Sequence, residues 1–199
     1  MSSLLEPRYT PEQYLELERK ASFKSEYLDG EIFPLGGGIV GMAGATESHN
    51  LVVTNAVSEL RAKLRGRPCR TYPSDMKVEV GPNGLFCYPD VSVVCGEPRF
   101  HDEHRDMLKN PTLVIEVLSP ATEAYDRGAK FAQYRRLASL SDYVLISPTE
   151  FRVEHFVRQS DDCWLLSEIT NEHQTVQIIS LGCEIEMAEL YDRVEFPAL

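Results

Sequence analysis

Two acidic residues stand in apolar, β-branched segments of the sequence. Asp90 opens the run "DVSVVCGEP" directly after Pro89, and Glu116 stands inside "TLVIEVLSP" (112–120). Burial of a lone carboxylate is costly, so buried acids are usually paired or bind a metal ion. Carboxylates on adjacent strands can reach one divalent cation, and Mg²⁺ prefers such oxygen ligands. A site of this kind can polarise a phosphodiester and lower the pKa of an attacking water.

Both acids also have a purely structural interpretation. Pro-Asp is a common turn dipeptide, and a single acid at a strand end is usually a turn-former or a solvated edge residue. Glu116 could pair with a buried Arg or Lys instead of a metal ion. The residue pattern alone leaves these alternatives open.

The segments around the two acids predict an α/β fold with helices packed on the faces of a sheet. Helical spacing of apolar residues indicates a long helix over 46–64 and another over 123–140. In the second helix, the apolar residues face one way and Lys130 does not. Buried strands are predicted at "DVSVV", "TLVIEVL" and "DYVLIS", and further strands follow in the C-terminal third.

The remaining segments are assigned from capping and turn signals. A capping box is predicted at Thr10, Pro11 and Gln13, and a hairpin turn at Asp29-Gly30. "KVEV" and "LFCY" are predicted to form another hairpin. Loops are expected over the glycine-rich segment 36–45 and the polar segment 96–110, and a short closing helix over 184–194.

Composition restricts the class of protein. The chain has 199 residues, 43% hydrophobic and 26% charged, which suits one domain over 1–199. Its net charge of −11 argues against non-specific nucleic-acid binding, but it does not exclude an acidic metal site. No segment is long and apolar enough to span a membrane, and no secretory signal is evident, so we expect a cytoplasmic protein.

The cysteines do not suggest a structural role. The five cysteines are scattered and include no Cys-x-x-Cys pair, so neither a disulfide framework nor a zinc site is expected. The sequence also contains no Gly-x-Ser-x-Gly elbow and no phosphate-binding loop signature.

Several segments occur in an order that resembles a known family. They are "SEYLDGEI", the glycine-rich loop leading to "SHN", "YPDVSVV", "LVIEVLSP", "YDRGAKFAQYRRL" and "DYVLISP". The chain resembles the Uma-two endonuclease family, a bacterial group within the PD-(D/E)XK nuclease superfamily. The resemblance covers nearly the whole chain and implies a restriction-endonuclease-like core, αβββαβ, with a central mixed sheet, flanking helices and extra C-terminal strands.

The resemblance also implies roles for individual residues. The metal-binding acids would be Asp90 and Glu116, with the carbonyl of Val117 as a third ligand for Mg²⁺ or Mn²⁺. The superfamily usually has a lysine two residues after the second acid, where this chain has Leu118. The resemblance therefore implies that Lys130, on the following helix, returns its ammonium to the site.

Glu26, His49 and Tyr134 are weaker candidates, and Lys130 also has a second interpretation. The resemblance places Glu26 near the site, while His49 could orient a phosphate or water or merely cap a helix. Lys130 has an ordinary alternative, because it stands one helical turn after Asp126 and could form a surface ion pair. Tyr134 fits either the cleft or the core.

These observations favour a magnesium-dependent DNA endonuclease that hydrolyses phosphodiesters with an activated water. The alternative is a nuclease-fold module that binds DNA or protein with little or no catalysis, which the acidic charge and the missing Glu-x-Lys pattern favour. A hydrolase for small phosphoesters is a weaker third hypothesis. By analogy with other nucleases of this fold, a homodimer is a further expectation.

Overall fold

A computed structural model describes residues 8–35, 45–81 and 84–197, so the predicted glycine-rich loop lies almost wholly outside the described residues. The helical elements are α1 (Pro11–Glu18), α2 (Glu47–Lys63), α3 (Glu123–Tyr125), a π-helix (Asp126–Lys130), α4 (Phe131–Tyr134), a 3₁₀ turn (Ile179–Leu181) and α5 (Met187–Leu190). The strands are β1 (Ser25–Leu28), β2 (Glu31–Pro34), β3 (Cys69–Pro73), β4 (Lys77–Val80), β5 (Leu85–Cys87), β6 (Val91–Cys95), β7 (Met107–Leu108), β8 (Leu113–Val117), β9 (Asp142–Ile146), β10 (Val153–Arg158), β11 (Trp164–Ile169), β12 (Thr175–Ile178) and β13 (Cys183–Glu186).

A six-stranded mixed sheet forms the centre of the fold. Its strand order is β11-β10-β9-β8-β6-β3, in which β8 and β9 are parallel and the other neighbours are antiparallel. In chain order, α2, β3, β6, β8, the helical segment 123–134 and β9 form an αβββαβ unit. The predicted restriction-endonuclease-like core is therefore confirmed.

The pleat of β8 divides its side chains between two cores. Ile115 packs on the α2 side with Val52 and Ala56, whereas Val114 packs on the other side with Tyr134. Because side chains alternate along a strand, Glu116 faces the same side as Val114. That side is covered by the segment that carries Lys130.

The second sheet has five strands in the order β2-β1-β5-β4-β7. In the chain, these strands come before and between the elements of the core. The predicted β1–β2 hairpin is confirmed, and both Asp29 and Gly30 have positive φ at its turn. The predicted loop over 96–110 is wrong in part, because Met107 and Leu108 are fully buried and pair with β4. A two-residue strand is too short to show a periodic pattern.

Two helix predictions also need correction. The segment 123–140 is an α-helix only in short pieces and contains a π-turn, so Lys130 is buried rather than turned away from the core, while Ala138 is exposed. The expected closing helix over 184–194 begins instead as β13, and only Met187–Leu190 is helical. No helix in the described ranges is long and apolar enough to cross a membrane.

One disulfide contradicts the expectation from the cysteine pattern. Cys69 on β3 stands directly opposite Cys95 on β6, with their Cα atoms 4.0 Å apart, and the two sulfurs are bonded. The sequence separation of 26 residues gave no hint of this pairing, because the contact arises from the register of the two strands.

Candidate active site

Glu116 lies inside the protein, surrounded by polar partners. It is 4% exposed, and its Oε1 lies 2.9 Å from Nζ of Lys130. The hydroxyl of Tyr134 donates a hydrogen bond of 3.2 Å to the same oxygen. The acid predicted from the strand pattern is therefore buried, and it contacts a lysine from the following helical segment.

Lys130 reaches this position at the end of the π-helix. Its Nζ lies 3.4 Å from Oε1 of Glu26 and 3.5 Å from Oδ1 of Asp126, in addition to its contact with Glu116. A π-turn adds a residue to the helical repeat, and such turns often occur at functional sites. The surface alternative for the Asp126–Lys130 pair is wrong, because Asp126 is 2% exposed and Lys130 5% exposed.

Asp90 lies where β6 begins, beside the end of β8. Its Oδ2 accepts a hydrogen bond of 2.8 Å from the backbone N–H of Val117, and its Oδ1 lies 3.3 Å from Nε2 of His49. His49 is held in the first turn of α2, because the hydroxyl of Thr46 accepts a hydrogen bond from its backbone N–H. The carboxylate of Asp90 is thus fixed between β8 and α2.

Glu26 comes from the second sheet. It is 5% exposed on β1, and its Oε1 accepts a hydrogen bond of 3.5 Å from the backbone N–H of Tyr88. The insertion of this sheet therefore brings a third acid to Lys130. The contact joins the two sheets through one ammonium group.

The cluster carries more negative than positive charge. Glu26, Glu116 and Asp126 contact the buried ammonium of Lys130, and the charge of Asp90 acts on Glu116. Burial raises the pKa of Glu116 well above its usual range, and the charges of Asp126 and Asp90 add to the shift against the opposing effect of Lys130. Burial opposes the charge of Lys130, but Glu116 and Glu26 outweigh it and raise the pKa of the amine.

A pocket of about 350 Å³ adjoins the cluster. Glu26, Asp126 and Lys130 form its polar side, and Phe33 and Tyr125 contribute to its apolar side. Phe33 is 45% exposed, so this pocket lies at the surface. It gives a solute access to Glu26, Asp126 and Lys130.

The predicted donor set would leave a hard cation part of its hydration shell. Among the described residues, no group of three or more His, Cys, Asp or Glu side chains is placed to hold a metal ion. Asp90 and Glu116 would therefore supply two side-chain ligands, and the Val117 carbonyl a third. Three acids contact the single ammonium of Lys130, and an added cation would balance this excess of carboxylates.

Sequence reasoning missed part of this arrangement. The sequence predicts Asp126 only as a surface partner of Lys130, and it predicts no role for Cys87, whose Sγ lies 3.0 Å from the hydroxyl of Tyr134. The Asp-x-x-x-Lys spacing was a usable signal for the first. No local pattern indicates the second, since Cys87 and Tyr134 meet only through tertiary packing.

The mixed sheet and its αβββαβ connectivity define the class as restriction-endonuclease-like α/β proteins. Residues 11–188 match the family model described as "Uma2: Putative restriction endonuclease", and the chain belongs to this family. The chain is 34% identical to "Uncharacterized protein sll1609" of Synechocystis sp. over 84% of its length and 91% of the relative. It is 32% identical to "Uncharacterized protein slr1290" of the same organism, over 96% of its length and 95% of the relative.

Proposed function

We propose that this protein is a magnesium-dependent DNA endonuclease that hydrolyses phosphodiester bonds with an activated water. The observation that carries the proposal is the contact of 2.9 Å between Lys130 and Glu116, one strand away from Asp90. Lys130 thereby supplies the amine that the superfamily usually provides two residues after the second acid, where this chain has Leu118. Family membership supports the endonuclease class.

Asp90, Glu116 and the carbonyl of Val117 would hold Mg²⁺, and Mn²⁺ would be accepted by the same oxygens. When bound, the ion supplies a Lewis acid and lowers the pKa of a coordinated water. The hydrogen bond from Val117 and the contact with His49 already fix the orientation of the Asp90 carboxylate. Little rearrangement of this side chain is then needed on binding.

In this proposal, the Lys130 ammonium contacts either the phosphate or the attacking water. Its raised pKa keeps the ammonium charged at neutral pH, so it can donate a hydrogen bond to a phosphate oxygen where negative charge develops. Glu26 and Asp126 also contact the ammonium. These two acids are thus positioning residues, with Glu26 the one that links the site to β1.

Calorimetric titration with Mg²⁺ and Mn²⁺ tests the metal site. Asp90→Asn preserves the size of the side chain and an oxygen that can accept from Val117, so it should fold but bind metal weakly. Glu116→Gln should behave likewise. Asp75→Asn is the matched control, because the Asp75 side chain is 86% exposed, and it should bind metal as the wild type does.

Nicking of supercoiled plasmid DNA in Mg²⁺ or Mn²⁺ tests the activity. We expect cleavage by the wild type and Asp75→Asn, and a loss of at least about 100-fold in Asp90→Asn and Glu116→Gln. Cleavage at the wild-type rate in both active-site variants would contradict the proposal. A small-phosphoester hydrolase would instead act on nucleotide substrates and leave the plasmid intact.

A nuclease-fold binding module is the second candidate. The observation in its favour is that, among the described residues, no group of three or more His, Cys, Asp or Glu side chains could hold a metal ion. Retained DNA binding without cleavage in any divalent metal would support this candidate and count against the first.

A further inference from the structure

One stretch of this acidic chain is strongly basic. Residues 60–74 contain no Asp or Glu, but they include Arg61, Lys63, Arg65, Arg67 and Arg70. The whole chain has a net charge of −11, so this local charge of +5 is a marked asymmetry. A basic patch of this kind attracts polyanions, since the net charge of a protein does not determine its local potential.

The fold gathers these residues around one cavity. The end of α2 and strand β3 form a surface cavity of about 670 Å³. Its lining includes Arg61, Arg65, Arg67, Arg70 and the ring of Tyr72. We call these five residues the arginine patch. All four arginines are exposed.

The four guanidinium groups are not neutralised by neighbouring acids. Within the described ranges, none of them forms an ion pair with a carboxylate; Arg67 donates instead to the carbonyl of Gly182 at 3.3 Å. The dipole of α2 favours cations in its last turn, which accounts for Arg61. It does not account for Arg67 and Arg70, which lie beyond the helix.

The arginine patch and the candidate active site are connected along β6 and along α2. Arg70 pairs with Val94, four residues along β6 from Asp90, which corresponds to about 14 Å. Along α2, Arg61 follows His49 by twelve residues, or about 18 Å. Because a DNA strand advances about 3.4 Å per nucleotide, these separations span roughly four to five nucleotides.

We propose that the arginine patch binds the phosphate backbone of DNA beside the site that holds Asp90 and Glu116. This inference rests on the proposed function for its choice of DNA as the polyanion. The four arginines supply charge-assisted hydrogen bonds to phosphate oxygens. Contacts of this kind fix the position of a duplex without reading its sequence.

Fluorescence anisotropy with a labelled 20-base-pair duplex tests the proposal in EDTA, where no cleavage occurs. The test variant is Arg61→Gln/Arg65→Gln/Arg70→Gln, and the matched control is Lys20→Gln/Arg99→Gln/Arg193→Gln. Both change the net charge from −11 to −14, so an effect of overall charge would appear equally in both. All six side chains belong to exposed residues, so thermal unfolding should show little change.

We expect the patch variant to bind the duplex at least about 10-fold more weakly than the control. The slope of log affinity against log salt should fall by roughly 2 to 3 for three lost phosphate contacts. Equal affinities for the two variants, or no duplex binding by the wild type, would overturn the proposal. So would a wild type that binds anionic phosphatidylserine vesicles but not DNA.

The two proposals can fail separately. Loss of binding in the patch variant, with no cleavage by the wild type in any metal, would support the patch and refute the endonuclease. Plasmid cleavage by the wild type, with unchanged binding in the patch variant, would refute the patch and leave the endonuclease standing.

Discussion

Nζ of Lys130 lies 2.9 Å from Oε1 of Glu116, although the two residues belong to a π-helix and a strand. The position two residues after Glu116 is Leu118, which is buried in an apolar cluster. A lysine at this position would not provide the apolar packing that Leu118 provides. Lys130 therefore supplies the positive charge of the site from a different element, without a lysine on β8.

Replacement of Lys130 by Met should abolish cleavage and destabilise the protein. Lys130→Met removes the ammonium and leaves Glu26, Glu116 and Asp126 buried without it, at a cost of about 3–5 kcal/mol. We expect plasmid nicking to fall at least about 100-fold. Denaturant unfolding and nicking assays in Mg²⁺ measure the two effects.

The control for this prediction is Lys20→Met. Lys20 pairs with Glu16 on the surface of α1, and its side chain is 72% exposed, so the change should cost less than about 0.5 kcal/mol. Lys130→Arg separates charge from shape, because it keeps the positive charge but changes the group that contacts Glu116. Full nicking activity in the Lys130→Met variant would show that Lys130 has no role in the mechanism.

Replacement of Tyr134 by Phe should weaken the support of Glu116. The Tyr134 hydroxyl donates to Glu116 and contacts Cys87, and burial raises its pKa, so it remains protonated. Tyr134→Phe should lower the free energy of unfolding by about 1–3 kcal/mol, because a buried acceptor loses its donor. Phe131→Leu nearby serves as a packing control that leaves this hydrogen bond intact. A Tyr134→Phe variant as stable as the wild type, with unchanged metal affinity, would contradict this role.

The sequence was informative where a chemical pattern is local. An acid inside an apolar strand indicated Glu116, and the αβββαβ core was implied by the resemblance to a known family. The convergence of Glu26 and Lys130 was only implied by resemblance, because it depends on how the inserted sheet packs. The π-turn gave no signal either, since a single added residue barely disturbs a helical period.

The disulfide and strand β7 were missed for related reasons. Cys69 and Cys95 become neighbours through strand register, which spacing along the chain does not specify. Met107 and Leu108 form a strand because β4 offers an edge to pair with, while the surrounding residues are polar. In both cases a tertiary contact decides the local structure.

The stability of the metal-free protein should fall as the pH rises from about 4.5, the ordinary pKa of a glutamate side chain. Because burial raises the pKa of Glu116, the folded state retains a proton that the unfolded state has released, so deprotonation favours unfolding. Lys130 adds no slope near neutral pH, since its pKa is raised from an already high value.

Urea unfolding in EDTA between pH 5 and 8 measures this effect. The Glu116→Gln variant lacks the titrating group, so its unfolding free energy should depend less steeply on pH than that of the wild type. Added Mg²⁺ should restore wild-type stability at the higher pH, because the cation favours the ionised carboxylate. Parallel pH curves for wild type and Glu116→Gln would show that Glu116 does not titrate abnormally.

Asp106 should make the opposite contribution at acid pH. Hydrogen bonds of 3.0 and 2.9 Å from Arg19, together with the charge of Lys77, lower the pKa of Asp106 to about 2. The stabilisation is present above the ordinary pKa of 3.8 and is lost as the pH falls from there to about 2. Asp106→Asn should therefore be less stable than the wild type at pH 6, and the difference should narrow by pH 2. Asp75→Asn, in an exposed pair, should show no such convergence. A constant difference in unfolding free energy between the wild type and Asp106→Asn from pH 6 to pH 2 would contradict this prediction. It would mean that ionisation of Asp106 beside Arg19 does not stabilise the protein.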